Sequence, residues 1–332
     1  MKKQPASIVI FVFLVLCCTC LGDNGPWKTP PAKVLENYHF DPNKPIADRV
    51  TRAPDFVIDY ISKHNAGYLK KGKSKFSPYT PTPAEFAEIE KYINAMPKGF
   101  ADKIASGLLG IYFISNFKNS GLTHFVNGKD NKRYFFILIS SDVLKLSASE
   151  WITKKERSCF IPDPSYELDI DIGDGASGFY YIFYHEIMHG YEYTQNIKPG
   201  ASSFFDAREN EAGKQQTDPY WTEYNKPAAK YDFTGRDKIA FYDLGNGPKI
   251  KISYAPDIYK KLVASPFASL YGSMNWQEDI AEYAAMYMSA KVLKRPWTLA
   301  IKKNDEIIFT MEYPLDRKNV SNRVEFMEEI LK

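Results

Sequence analysis

Two histidines one helical turn apart with a carboxylate between them, His185, Glu186 and His189, limit what this chain can build. Positions i and i+4 of an α-helix project from one face, so both imidazoles can reach a single metal ion while Glu186 faces the water beside it. The spacing is that of the zinc hydrolase signature H-E-x-x-H. Only five histidines occur in 332 residues, so no His-rich background accounts for the pair. The alternative is two core histidines satisfied by hydrogen bonds, which leaves a buried His-Glu-His strip with several desolvated polar groups to satisfy.

The flanking residues point the same way. Gly173 to Gly178 interrupts regular structure, and Phe179-Tyr180-Tyr181-Ile182-Phe183-Tyr184 runs into the motif and on through Met188 and Tyr191. Such an apolar run predicts a helix buried on most sides, with a narrow polar strip of His185, Glu186 and His189. Catalytic zinc usually takes a third protein ligand and leaves its fourth position to water. One large subclass takes a His six residues after the motif, reached through a Gly at the third. Here those positions are Gln195 and Glu192, so a Glu from a later helix is the remaining common solution. Glu209 and Glu211 lie in a polar stretch, 205–211, that reads as a loop. Glu278 and Glu282 lie in a segment that reads as a helix, with Ile280, Ala284, Tyr287 and Met288 giving it an apolar face.

The stretch Tyr271-Gly272-Ser273-Met274-Asn275-Trp276-Gln277-Glu278-Asp279-Ile280-Ala281-Glu282 resembles the catalytic domain of anthrax lethal factor. That family carries a Tyr-Gly, an Asn four residues after the Tyr, a zinc-binding Glu seven after it, and an Ala-Glu pair completing the turn. The resemblance implies an α+β, zincin-like metallopeptidase domain with an active-site helix and a small mixed sheet. It implies one Zn2+ per chain held by His185, His189 and Glu278, with Glu186 as general base and the Tyr271 hydroxyl stabilising the transition state. The chain is also similar, with less to match, to the related Pro-Pro endopeptidases of secreted bacterial origin. Weaker likeness, a helix, then Gly121-Leu122-Thr123, then a strand, extends over roughly residues 85 to 290. His189 and Glu278 stand 89 positions apart, more than is usual in that family, which implies an insertion.

Each of these residues also has a plainer role open to it. Asn275 and Glu278 stand three apart at a helix start, the spacing of a capping box in which Glu278 only bonds back to the backbone. Glu282, one turn on, is either a ligand or an acceptor that orients a histidine N–H, and the second role is preferred. Tyr271 is one of 23 tyrosines, and the resemblance alone singles it out from packing residues with a satisfied hydroxyl.

The N-terminus reads as an export signal. Lys2 and Lys3 precede an apolar core over 8–16, and Cys17-Cys18-Thr19-Cys20-Leu21-Gly22 forms a small-residue exit, too short in all to span a bilayer as a helix. A cysteine there offers a site for lipid after cleavage, although none is preceded by the usual Gly or Ala, and cleavage after Gly22 competes. The expected location is therefore secreted, periplasmic or lipid-anchored at a bacterial cell surface, with the membrane touched only through that anchor. Without Lys2 and Lys3 the formal charge falls from +3 to +1, which gives no support for nucleic-acid binding. Only Cys159 survives removal of residues 1–22, so no disulfide framework is expected and the remaining chain must build an ordinary core.

Residues 23–82 read as an arm (23–45), a short amphipathic helix (53–64) and a basic, proline-punctuated linker from Lys70 onward. The catalytic domain then spans 83–332. Its expected elements are helices from Pro83 to about Ala95 and from Pro97 to about Leu109, and an aromatic, β-branched strand at Tyr134-Phe135-Phe136-Ile137-Leu138-Ile139. In zincin folds such a strand often borders the cleft and pairs with extended substrate. The insertion is placed at 197–256, with loops and strands near 238–242 and 249–254 split by Gly245-Asn246-Gly247. A closing strand over 306–311 and a helix over 321–331 end the chain.

Two functions from different classes fit. One is an exported zinc endopeptidase acting on a peptide or protein substrate. The other is a non-catalytic surface binding lipoprotein on a zincin scaffold, its metal structural or lost. The intact Glu186 argues for the first, because a structural site has no need of a base between its histidines.

Overall fold

The computed structural model describes residues 29–197, 220–242 and 247–332. The export signal at 1–22, Glu209, Glu211 and Gly245-Asn246 lie outside the described residues. The chain folds as a mixed α+β structure with small sheets. Its helices are α1 (Asp55–His64), α2 (Pro83–Asn94), α3 (Lys98–Ala105), α4 (Ala148–Arg157), α5 (Phe179–Gln195), α6 (Ala255–Ala264), α7 (Trp276–Tyr287) and α8 (Ser321–Leu331). The main sheet has the order β1 (Val50–Thr51), β3 (Leu108–Ser115), β5 (Arg133–Ser140), β4 (Gly121–Asn127), and β2 (Ser77–Tyr79) also pairs β3. β3 runs parallel to β1 and β5, whereas β4 is antiparallel to β5 and β2 antiparallel to β3.

β5 is apolar at nearly every position because both of its faces are covered. Its two edges are paired as well, to β3 and β4, so the 134–139 strand expected to border the cleft and pair with substrate is interior, and β4 holds the sheet edge. Phe135, Ile137 and Ile139 join Leu108, Ile111 and Phe113 of β3 in the larger core, beneath α2, α3 and α5. Tyr134, Phe136 and Leu138 join Leu109, Tyr112 and Ile114 in a second core, closed by Val57, Ile58 and Ile61 of α1 and by Ala32, Ala53 and Phe76. The stretch read from sequence as an arm and linker therefore supplies the cover of one sheet face and two short strands. Lys70 is ion-paired to Asp142, and its backbone N–H donates to Asn116 O at 2.8 Å.

A three-stranded antiparallel sheet, β12 (Glu306–Glu312), β11 (Thr298–Lys303), β7 (Tyr166–Asp171), packs beside α4. Two small pairs complete the strands: β6 (Phe160–Ile161) with β10 (Ile250–Lys251), and β8 (Trp221–Glu223) with β9 (Lys226–Pro227). No helix among the described residues is long and apolar enough to cross a membrane.

Several local expectations need correction. The helix opened by Pro97 ends at Ala105, not near Leu109, because Leu108 and Leu109 enter β3 and pack on opposite faces of the sheet. No strand forms at 238–242. A 3-10 turn (Arg236–Lys238) precedes buried Ile239, Ala240 and Phe241, and Tyr242 takes a left-handed φ of 55°. The strand near 249–254 shrinks to β10, followed by a 3-10 turn (Ile252–Tyr254) that leads into α6. The described part of 197–256 is fastened into the fold: Trp221 Nε1 donates to Asp279 Oδ2 at 2.7 Å, and Arg236 donates to Ser273 O at 3.0 Å.

The helix bearing the motif lies against the main sheet as closely as its side chains allow. A Cβ on Gly190 would stand 2.1 Å from Phe135 Cε2, inside a fully buried ring. We predict that Gly190→Ala destabilises the protein by about 1–3 kcal/mol through overpacking, measured by urea denaturation; an unchanged midpoint would contradict this packing.

Candidate functional site

α5 is buried along most of its length, its polar strip included, and of His185, Glu186 and His189 only His189 is partly exposed. Against that strip packs the start of α7. Asn275 caps α7, its Oδ1 accepting from Gln277 N at 3.1 Å and Glu278 N at 3.0 Å. The cap frees Glu278 from the backbone. In α2 and α4 the corresponding Glu85 and Glu150 return to the N-cap N–H and complete a capping box. In α7 the Glu278 carboxylate turns instead to the histidines, 3.1 Å from His185 Nε2 and 3.6 Å from His189 Nε2. The capping role therefore belongs to Asn275 alone.

The two Nε2 atoms stand 3.2 Å apart, so His185, His189 and Glu278 place three donor atoms at the corners of a small triangle. Ligands at about 2.0–2.1 Å from a tetrahedral ion such as zinc stand about 3.3–3.4 Å from one another, which these edges bracket. The donor set also fits by chemistry, since two imidazoles and a carboxylate are borderline and hard donors of the kind a divalent zinc takes. His185 is buried whereas His189 and Glu278 are partly exposed, leaving one side of the triangle open to solvent.

The surrounding groups fix these donors. Glu282 Oε1 lies 3.1 Å from His185 Nδ1, so it accepts that N–H and turns the Nε2 lone pair toward the triangle. His189 Nδ1 faces Glu192 Oε2 at 3.9 Å. Glu186 lies beside the triangle, with the Thr123 hydroxyl 2.7 Å from its Oε2 and 2.9 Å from its backbone oxygen. A Cβ on Gly121 would stand 2.4 Å from Glu186 Oε1, so only a glycine lets that carboxylate lie flat on β4. Tyr271 sits with its ring centroid 5.8 Å from that of His185, edge-on to Phe241 at 5.0 Å.

Burial pushes these carboxyls toward the neutral form, and their partners decide the outcome. Glu278 is held well below the ordinary range, because the hydrogen bonds and charge of His185 and His189 outweigh its burial. Glu282 is likewise drawn down to about 2, with Lys155 and His185 overcoming desolvation. Glu186 is raised, burial exceeding the pull of His189, His185 and Thr123. Burial drives the Tyr271 phenol well up, and the nearby Glu278 adds to it. A phenol so shifted stays protonated and able to donate.

The sequence brought together His185, His189, Glu186, Glu278, Glu282 and Tyr271, and all six converge in the structure. It gave no reason to place Lys155, Glu192 or Glu156 there. Lys155 is ion-paired to Glu282 at 2.7 Å. Gly121 and Thr123 appeared only as part of a weak likeness. A charged residue at a buried α4 position was the one available signal, visible only once that helix's buried face is known.

Glu156, next to Lys155, accepts a hydrogen bond from the Tyr259 hydroxyl and is raised to about 7 by burial, partly offset by Lys155. A carboxyl raised on folding stabilises the fold while protonated, fully below about 4.5, and that contribution is lost as pH climbs through about 7. Denaturation midpoints across this window should therefore fall more steeply for the wild type than for Glu156→Gln. Parallel curves would contradict the assignment.

The chain matches no protein-family model, no curated protein and no solved structure.

Proposed function

We propose that this protein is an exported zinc-dependent endopeptidase on a zincin-like scaffold. Zinc would be held by His185, His189 and Glu278. The observation that carries the reading is the donor triangle, with edges of 3.1, 3.2 and 3.6 Å, set directly beside the buried Glu186. The scaffold reading is supported by an edge strand, β4, running past Glu186 and by a later helix that supplies the third donor. Export is supported by the apolar 8–16 segment behind Lys2 and Lys3.

When bound, the zinc supplies Lewis-acid polarisation of a carbonyl and acidifies a water. The chain's own groups do the rest. Glu186, steadied by Thr123 and raised by burial, takes a proton from the attacking water and delivers it to the leaving amine. Tyr271, kept protonated by burial, donates to the oxyanion that develops on the scissile carbonyl. Glu282 holds His185 in the tautomer that presents Nε2. A structural-metal protein has no use for Glu186 in this posture, so the enzyme reading is preferred over a binding lipoprotein.

Chelator-sensitive cleavage of a peptide library by the purified protein tests this directly. Glu186→Gln should retain zinc while losing hydrolysis by about 10²- to 10⁴-fold, and zinc lost together with activity would mean that Glu186 is a ligand. Glu278→Ala should lose zinc. Retention of full zinc affinity by Glu278→Ala, with only about 1 kcal/mol of stability lost as for a helix-end residue, would refute its place in the triangle.

A further inference from the structure

Lys155 stands on α4, 127 positions before Glu282 in sequence, and is only 3% exposed. Its ammonium is 2.7 Å from Glu282 Oε1, the same oxygen that lies 3.1 Å from His185 Nδ1. It also sits over the Tyr271 ring, 4.3 Å from the centroid, with the rings of Tyr181, Trp151 and Phe241 at 5.6, 5.8 and 6.0 Å. A buried ammonium is a poor choice for packing alone, since a methionine or leucine would fill the same space without loss of hydration. Here one carboxylate and four aromatic faces replace its water.

We propose that Lys155 is a positioning residue of the candidate metal centre, its buried charge fixing at once the carboxylate that orients His185 and the ring of Tyr271. The inference rests on the zinc endopeptidase reading. On that reading Lys155 is a buried cation in a site crowded with carboxyls, Glu186, Glu278 and Glu282 among them. Oε2 of Glu282 is engaged separately, accepting from Ser269 Oγ at 2.7 Å and Tyr181 Oη at 3.2 Å. Without Lys155 the carboxylate keeps those two hydroxyls but only His185 on Oε1, and it is free to tilt toward them. The Tyr271 ring would keep Phe241 at its edge but lose the cation over its face. One cation thus links the ligand side of the site to the side that receives the oxyanion.

The test uses the full chain with zinc alone as ligand, its affinity measured by chelator competition, beside turnover of a peptide selected from the library. Lys155→Met should weaken zinc binding about 10- to 100-fold, as loss of a partner behind a ligand does, and should lower kcat at saturating zinc while KM stays within about twofold. A folded Lys155→Met with wild-type zinc affinity and kcat, altered only in melting temperature, would overturn the proposal and leave a packing role. Where Lys155→Met fails to fold, Lys155→Met/Glu282→Gln, which removes both buried charges, is compared with Glu282→Gln. Equal zinc affinity in that pair supports action through Glu282, and a further tenfold loss contradicts it. A wild type that binds no zinc refutes the reading of the site itself, an outcome distinct from zinc binding that is indifferent to residue 155.

Discussion

The contact on which the site depends is that of the Glu278 carboxylate with two imidazoles from another helix. Removing one ionised carboxylate from water costs several kcal/mol even after relaxation, and its partners repay this only if the geometry is good. Much of the surrounding structure enforces that geometry. The Asn275 cap fixes the first turn of α7 and leaves the Glu278 side chain free. The next residue, Asp279, is fully buried, accepts from Trp221 Nε1 and is ion-paired to Arg323 at 2.5 Å. One turn on, Glu282 reaches back to His185. The start of α7 is thus tied down from three directions.

The same neighbourhood concentrates charge that a globular core ordinarily avoids. Glu156, Glu186, Glu192, Glu282 and Lys155 are all buried, and Glu192 is raised to about 7 by that burial. Such clusters are where pKa values separate and proton transfer becomes feasible, and they are expensive unless a function retains them. A dication held at the proposed triangle would turn a repulsive cluster into an attractive one, and metal binding would then be coupled to folding stability. The close seat of α5 on the main sheet, allowed by Gly121 and Gly190, brings Glu186 within reach of Thr123.

What the sequence made legible follows from the range of the interactions. The i, i+4 histidines and Glu186 are set by helix geometry alone, so they were readable without any tertiary knowledge. So were the helix beginning at Pro83, the strand through 134–139 and the closing helix at 321–331, each a short apolar pattern with clear ends. Glu278 lies 89 positions from His189 and was one of four candidate carboxylates until a local resemblance singled it out, because no periodic pattern records which distant carboxylate faces a histidine. Lys155 left no mark and Thr123 only a weak likeness, for a lone lysine or threonine in sequence looks like any surface residue. The segment at 238–242 was misread because Ile239, Ala240 and Phe241 are apolar and buried yet irregular, and burial without a ladder mimics a strand. The helix at 53–64 was read as such, but the cover that its flanks complete was hidden, since the prolines and lysines on either side resemble those of a tether.

The most direct measurement is X-ray absorption at the zinc edge on protein loaded with one equivalent of zinc. One tightly held ion per chain is expected, about four-coordinate, with two imidazole nitrogens, oxygen ligands at about 2.0–2.2 Å and no sulfur. A fit requiring sulfur, fewer than two imidazoles, or a freely exchanging hydrated ion would contradict it.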